Sequence, residues 1–376
     1  MRFTVLFSFT STSLAILASP ASAVVQGAVF NRFVSIWLEN TDYAKAAANT
    51  DLKALAAKGL TLTNYYALTH PSEPNYVASV GGDYFGLNSD NTINFPSNVS
   101  TIVDLLEDKG ISWAEYQEDM PSTGYTGATF DNPKTGDSDY VRKHNPLVSF
   151  ISVNSNSTRL SNTKNFVTFQ SDLAANALPQ WIFITPNMTN DGHDTSITTA
   201  GLWSRNFLTP LLSNPNFNDN KTLILLTFDE TGSSSIANKV FTIVLGGALP
   251  TNLVGTTDSN FYTHYSALST VEANWNLHTL GRYDVGANVF GFVASVTGDT
   301  IRTTTSSVTL NAGYPGIFSS SKWAPQPVPN TSLVINGRTV LPSIVSQWSS
   351  QVACTVYSGQ LVPPSSSDKP IYPPGC

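Results

Sequence analysis

Charge is scarce in this chain: Asp, Glu, Lys and Arg make up only 12% of its 376 residues, and the formal net charge is −7. The densest basic spot is the short run Arg142-Lys143-His144. Binding a phosphate backbone needs a broad face of Lys and Arg, so nucleic acid is excluded as a partner. Cysteine is scarcer still. Cys354 and Cys376 are the only two, too few and too far apart for a thiolate metal site. In an oxidising compartment they are expected to pair and close a proline-rich tail over 354–376, worth roughly 3 kcal/mol through chain entropy. No run after the N-terminus approaches 18 apolar residues, so no membrane span is expected. Three hydrolytic signatures are also missing: Gly-X-Ser-X-Gly, His-Glu-X-X-His and Gly-X-X-X-X-Gly-Lys-Ser/Thr. Their absence argues against an α/β-hydrolase esterase, a zinc metallopeptidase and a P-loop enzyme.

What the chain does have begins with a leader. Arg2, the apolar stretch from Phe3 to Leu17 and the small residues Ala21-Ser22-Ala23 read as a signal peptide over 1–23, with the secreted chain starting near Val24. Ser, Thr and Asn are abundant, and glycosylation sequons begin at Asn98, Asn156, Asn187, Asn220 and Asn330. Glycans at such sites supply solubility that charge does not. Residues 24–376 suit a single large domain.

Apolar runs at 33–38, 60–68, 111–116, 181–185, 222–228 and 240–245 read as buried strands. Between them, helical spacing predicts helices over 51–58, 75–80, 100–109, 172–177, 202–212 and 266–275, several closed by glycine. Residues 118–146 break this rhythm with Gly, Pro, Asp, Ser and Thr, and read as a functional excursion. Beyond about Val296 the pattern weakens. The alternation predicts an α/β fold, a mostly parallel central sheet with helices on both faces.

Sites in such folds lie beyond the carboxyl ends of the strands. Polar clusters follow several strands: Glu39-Asn40, Ser72 after a short turn, Asn187 to Asp194, and Asp229-Glu230. They are expected to converge at one sheet edge. Glu39, Asp229 and Glu230 would repel one another there, and a divalent cation such as Mg, Ca, Mn or Fe resolves the conflict. A hydroxyl at Ser72 beside that cation becomes a nucleophile. The same serine, placed before a helix between Pro71 and Pro74, equally suits an ordinary N-cap. His70, Lys143, His144 and His193 could hold the other oxygens of a phosphoryl group.

These residues carry a resemblance. Ile36 to Thr41, Thr69 to Tyr76, Arg142 to Pro146, Asn190 to Asp194, Thr227 to Glu230 and Thr263 to Ser266 together resemble the phosphoesterase family of the alkaline-phosphatase-like superfamily. Within it the chain is most similar to secreted fungal acid phosphatases, which are related to bacterial phospholipases C. The resemblance implies one metal held by Glu39, Asn40, Ser72, Asp229 and Glu230, with Ser72 as nucleophile and a phosphoseryl intermediate. It implies phosphate contacts from His144 and His193, with weaker carry-over for His70, Asn75 and Lys143. The set for two zinc ions is not there. His193 or Asp191 would protonate the leaving alcohol, and small phosphomonoesters would be the substrates. The competing readings are a phosphodiesterase or phospholipase C on the same scaffold, and a non-catalytic secreted cell-wall protein.

Overall fold

The computed structural model describes residues 23–304, 308, 310, 317–318 and 328–364. Residues 1–22 of the predicted leader, Cys376 and most of the tail lie outside the described residues. Cys354 is not a free thiol.

Eight strands form the central sheet: β1 (Arg32–Leu38), β2 (Leu60–Leu62), β3 (Trp113–Gln117), β4 (Thr163–Asn165), β5 (Trp181–Thr185), β6 (Thr222–Phe228), β7 (Thr242–Leu245) and β8 (Thr256–Asp258). Their order is β8-β2-β7-β6-β1-β5-β3-β4. Every neighbouring pair is parallel except the two that β7 makes, with β2 and with β6. β3, β5, β6 and β7 are buried at every residue, as strands covered on both faces must be, β3 even at its polar Glu115 and Gln117.

The register separates the two faces. Tyr116, Ile184 and Ile36 lie side by side across β3, β5 and β1. Tyr116 packs edge-on against Phe169 of helix α4 (Phe166–Ala174), whose ring lies tilted against Phe207 of α5 (Ile197–Leu212). The alternate row, with Phe183 and Trp37, meets Tyr76 of α2 (Ser72–Gly81) and His264 of α6 (His264–Trp275). Also in the frame are α1 (Thr50–Ala56), which packs on α5, and α3 (Ile102–Asp108) beside α2. Each fully buried ring such as Phe183 adds roughly 2–3 kcal/mol of transfer free energy.

Several boundaries differ from the sequence reading. β4 and β8 were not foreseen: both are three-residue, largely polar edge strands without an apolar run. α4 begins at Phe166, not 172, because Asn165 caps it through Thr168 N. α3 begins at Ile102, not 100, because Thr101 caps it in a reciprocal box with Asp104. The 60–68 run breaks at Thr63-Asn64, leaving Tyr65–Tyr66 as a separate short strand. The excursion over 118–146 is not all loop. It folds a hairpin, Thr129–Asp131 against Ser138–Val141, and ends in a tight turn, Arg142–His144.

Candidate active site

The site begins where two neighbouring strands stop. Leu38 of β1 and Phe228 of β6 are register partners, so Glu39-Asn40 and Asp229-Glu230 leave the sheet at the same level. Asp229 N donates to Leu38 O at 3.0 Å, and Thr41 N to Glu230 O at 3.2 Å. Asn40 has φ +36°, a region that Asn enters more easily than most residues. Its own amide N then donates to Asp229 Oδ1 at 3.0 Å. The opposing strand exit passes close by: a Cβ at Gly232 would sit 2.9 Å from Asn40 O.

α2 brings the hydroxyl. Ser72 is its first residue, while Pro71 occupies the cap position without a side-chain bond. Ser72 is therefore not the N-cap. Its Oγ donates to Glu39 Oε2 at 3.1 Å and lies 3.5 Å from the Asn40 amide head. That same Asn40 atom is 3.2 Å from both oxygens of Asp229 and 3.3 Å from Glu39 Oε2 and Glu230 Oε1. With nitrogen there, the amide donates to the carboxylates. With oxygen there, every group around the gap is an oxygen donor, the set a hard divalent cation takes.

The electrostatics agree. Glu39, Asp229 and Glu230 are all nearly or fully buried. Burial, then Asp229 and Asp191, holds the Glu39 carboxyl well above its usual range. Burial and the adjacent Asp229 push Glu230 up to about 10, and burial pushes Asp229 to about 6 against hydrogen bonds that pull it down. Three acids whose ionised forms are this disfavoured fit a cation well. Glu39 also shares a second grouping, in which its carboxylate, His144 and Asp191 have ligand atoms within 4.8 Å of one another.

The other predicted residues sort by distance. His70 Nδ1 lies 2.9 Å from Glu230 Oε2. Asn75 holds the turn before α2: its Oδ1 accepts from Leu68 N at 2.9 Å, its Nδ2 donates to Thr69 O at 2.9 Å, and Glu230 Oε2 is 3.4 Å away. His144 is buried, stacks on Tyr76, and stands between Glu39 Oε1 at 3.3 Å and Asp191 Oδ2 at 3.6 Å. Burial, with Lys143 and His193 nearby, holds its pKa well below the ordinary histidine value. Asp191 is fully buried beneath the site. His193 is at the opening, partly exposed, with Nδ1 2.7 Å from Asp194 and its ring 6.2 Å from that of His144. Lys143 Nζ donates to Asp90 Oδ2 at 2.9 Å.

Of the sequons, Asn156 and Asn220 are exposed and Asn98 is half-buried. Asn187 is buried, and its Nδ2, the atom a glycan would take, donates to Asp119 at 2.6 Å. Asn330 Nδ2 likewise donates to Tyr357 O at 2.8 Å.

Three further residues support the site. Tyr76 OH donates to Glu39 Oε1 at 2.5 Å. Its position four residues after Ser72, on the same helix face, was the available signal. His264 Nε2 donates to the Asp229 carbonyl at 2.7 Å while its ring lies on Trp37, so it braces the strand exit rather than the reaction space. Asp90, in a loop with no pattern, accepts from Glu73 N at 3.0 Å.

A mostly parallel sheet whose strand ends gather buried carboxylates around a helix-borne serine is an α/β architecture with its polar groups collected at one edge. The chain belongs to the phosphoesterase family, whose profile matches residues 24–278. It is 53% identical over 365 residues to a probable acid phosphatase of Kluyveromyces lactis, covering 94% of this chain and 86% of that one. An acid phosphatase of Aspergillus fumigatus is 54% identical over 307 residues, 81% of this chain and 68% of its own. A phosphatidylinositol-3-phosphatase of Mycobacterium tuberculosis is 32% identical, covering 67% of this chain and 79% of its own.

Proposed function

We propose that this protein is a secreted acid phosphatase that hydrolyses small phosphate monoesters through Ser72. The observation that carries the reading is the Ser72 hydroxyl, 3.1 Å from Glu39 Oε2 and set among Asn40, Asp229 and Glu230. Relatives at 53–54% identity named acid phosphatases support it. Glu39, Asn40, Ser72, Asp229 and Glu230 would hold one divalent cation, which when bound supplies the positive charge that acidifies a hydroxyl and draws phosphate oxygens in.

The chain's own groups then account for the steps. The Ser72 hydroxyl donates to Glu39 Oε2, and that carboxylate oxygen takes the proton as Oγ turns toward the phosphorus. The Oγ–P bond forms as the bond from phosphorus to the ester oxygen breaks, and the electron pair leaves on that oxygen. His193 at the opening, or Asp191 below it, returns a proton to the departing alcohol. Water then attacks the phosphorus as the P–Oγ bond breaks; the group that protonated the alcohol takes the water's proton, Glu39 returns its proton to Oγ, and phosphate is released. Tyr76 and His144 keep Glu39 oriented throughout.

The test is Ser72→Ala, assayed by phosphate release from p-nitrophenyl phosphate with Mg, Ca, Mn or Fe supplied. Turnover is expected to vanish while circular dichroism is unchanged. Turnover that persists in the variant would refute the nucleophile, and an intact protein releasing no phosphate with any of the four metals would refute the activity.

A further inference from the structure

Beside the catalytic serine lies a cavity of about 250 Å³ lined by Glu73, Asp90, Thr92, Ala128, Thr129, Val141 and Lys143. One wall is the residue after Ser72, another is the hairpin of the excursion, and the floor is the Asp90–Lys143 ion pair at 2.9 Å. Lys143 interacts with Glu39 and Asp229, and Asp90 with Glu230, so this floor adjoins the reacting centre. Asp90 does two things there. Its Oδ2 neutralises the Lys143 ammonium, and its Oδ1 takes the Glu73 amide at the start of α2. Both groups would otherwise attract a second anion.

Resting on the phosphatase reading, we propose that this cavity receives the alcohol part of the ester and that Asp90 sets its charge preference. Neutral or cationic alcohols are accepted, and alcohols bearing their own negative charge are turned away. Ala128, Thr129 and Val141 give the pocket walls that suit a small uncharged or sugar-like group, and its volume holds a hexose but little more. An anionic substituent meets the Asp90 oxygens and finds no uncommitted cation in the lining. With Lys143 paired to Asp90, no free positive charge offsets the desolvation of an anionic substituent, and a loss of about 1.4 kcal/mol of transition-state binding is a tenfold loss in kcat/KM.

The experiment compares glucose 1-phosphate with glucuronic acid 1-phosphate, two pyranose esters of nearly equal size that differ by a hydroxymethyl group against a carboxylate, in the metal-loaded enzyme at low salt. The wild type is expected to favour the uncharged sugar about tenfold in kcat/KM. Asp90→Asn keeps an acceptor for Glu73 N and releases Lys143, and should bring the ratio close to one. As a second variant, Ala128→Trp alters an exposed residue and fills the cavity; it should depress both hexose esters relative to methyl phosphate. A wild-type ratio near one, or a ratio unmoved in Asp90→Asn, overturns the inference and leaves the phosphatase reading standing. If the wild type releases phosphate from none of these esters, nor from p-nitrophenyl phosphate, that reading itself falls.

Discussion

Glu115 offers a quantitative test of how this fold holds its loops. It lies in the middle of β3, wholly buried, with Oε1 accepting from Leu147 N at 3.1 Å and Oε2 without a hydrogen-bond partner. Burial pushes its carboxyl up to about 8, only partly opposed by the Leu147 bond. The folded chain therefore keeps this acid protonated where the unfolded chain, at an ordinary value near 4.5, ionises. Its folded value is raised, so the contribution to stability is full below pH 4.5 and drains away as pH climbs toward 8. At 1.36 kcal/mol per unit, going from pH 5 to pH 7.5 removes about 3 kcal/mol. Glu115→Gln retains a carbonyl for Leu147 N and cannot ionise. Urea unfolding of both proteins at pH 5 and 7.5 yields a double difference in which every other titrating group cancels. The variant should gain about 3 kcal/mol on the wild type between the two pH values. An equal offset at both pH values would show that Glu115 ionises in the folded state, and the argument from burial would fail.

Two further outcomes are expected. Chelation should lower the thermal midpoint by several degrees together with loss of phosphate release, because a cation at a hundred times its dissociation constant contributes about 2.7 kcal/mol; a midpoint indifferent to chelator and to added metal would remove the case for a cation. Tyr76→Phe deletes the 2.5 Å bond to Glu39 Oε1 and leaves His144 as that oxygen's neighbour. Losing a bond to a charged group costs about 1.5–3 kcal/mol, so kcat should fall by at least tenfold with KM little changed, and an unaltered kcat would show that Glu39 needs no such support.

How much of this was legible beforehand depended on whether a residue's job is written in a local pattern. β1 and β6 are long apolar runs that end abruptly in acids, and both the strands and the site at their ends could be read from that. Ser72 lay between two prolines at a strand-to-helix passage, and only its exact place, first in the helix instead of before it, was misjudged. β4 and β8 are three polar residues each and pair at the sheet edges, so nothing in their composition announces them. Asp90 acts through contacts 17 residues away with Glu73 and 53 away with Lys143. Such pairings are invisible to periodicity. Asn187 shows the converse case: its sequon is a local signal, while its side chain is buried with Nδ2 donating to Asp119.

The convergence at Glu39 and Asp229 is set as much at the far end of the strands as at the near one. Arg32, the first residue of β1, bonds the carbonyls of Leu178 and Pro179 ahead of β5 and of Asn216 and Phe217 ahead of β6. One guanidinium thus fixes the starting level of three adjacent parallel strands. β1 and β6 each run seven residues from paired starts, Arg32 with Thr222, so Leu38 and Phe228 finish together. A slip of one residue would turn every side chain of β6 to the opposite face. With apolar side chains packed on both faces, such a slip would still bury a hydrophobic strand, and hydrophobicity alone discriminates weakly against it. It would, however, carry Asp229 out of line with Asn40 N and break the Arg32 bonds. The polar groups at the two ends therefore do what the greasy middle cannot: they select the single register in which an oxygen cage forms around Ser72.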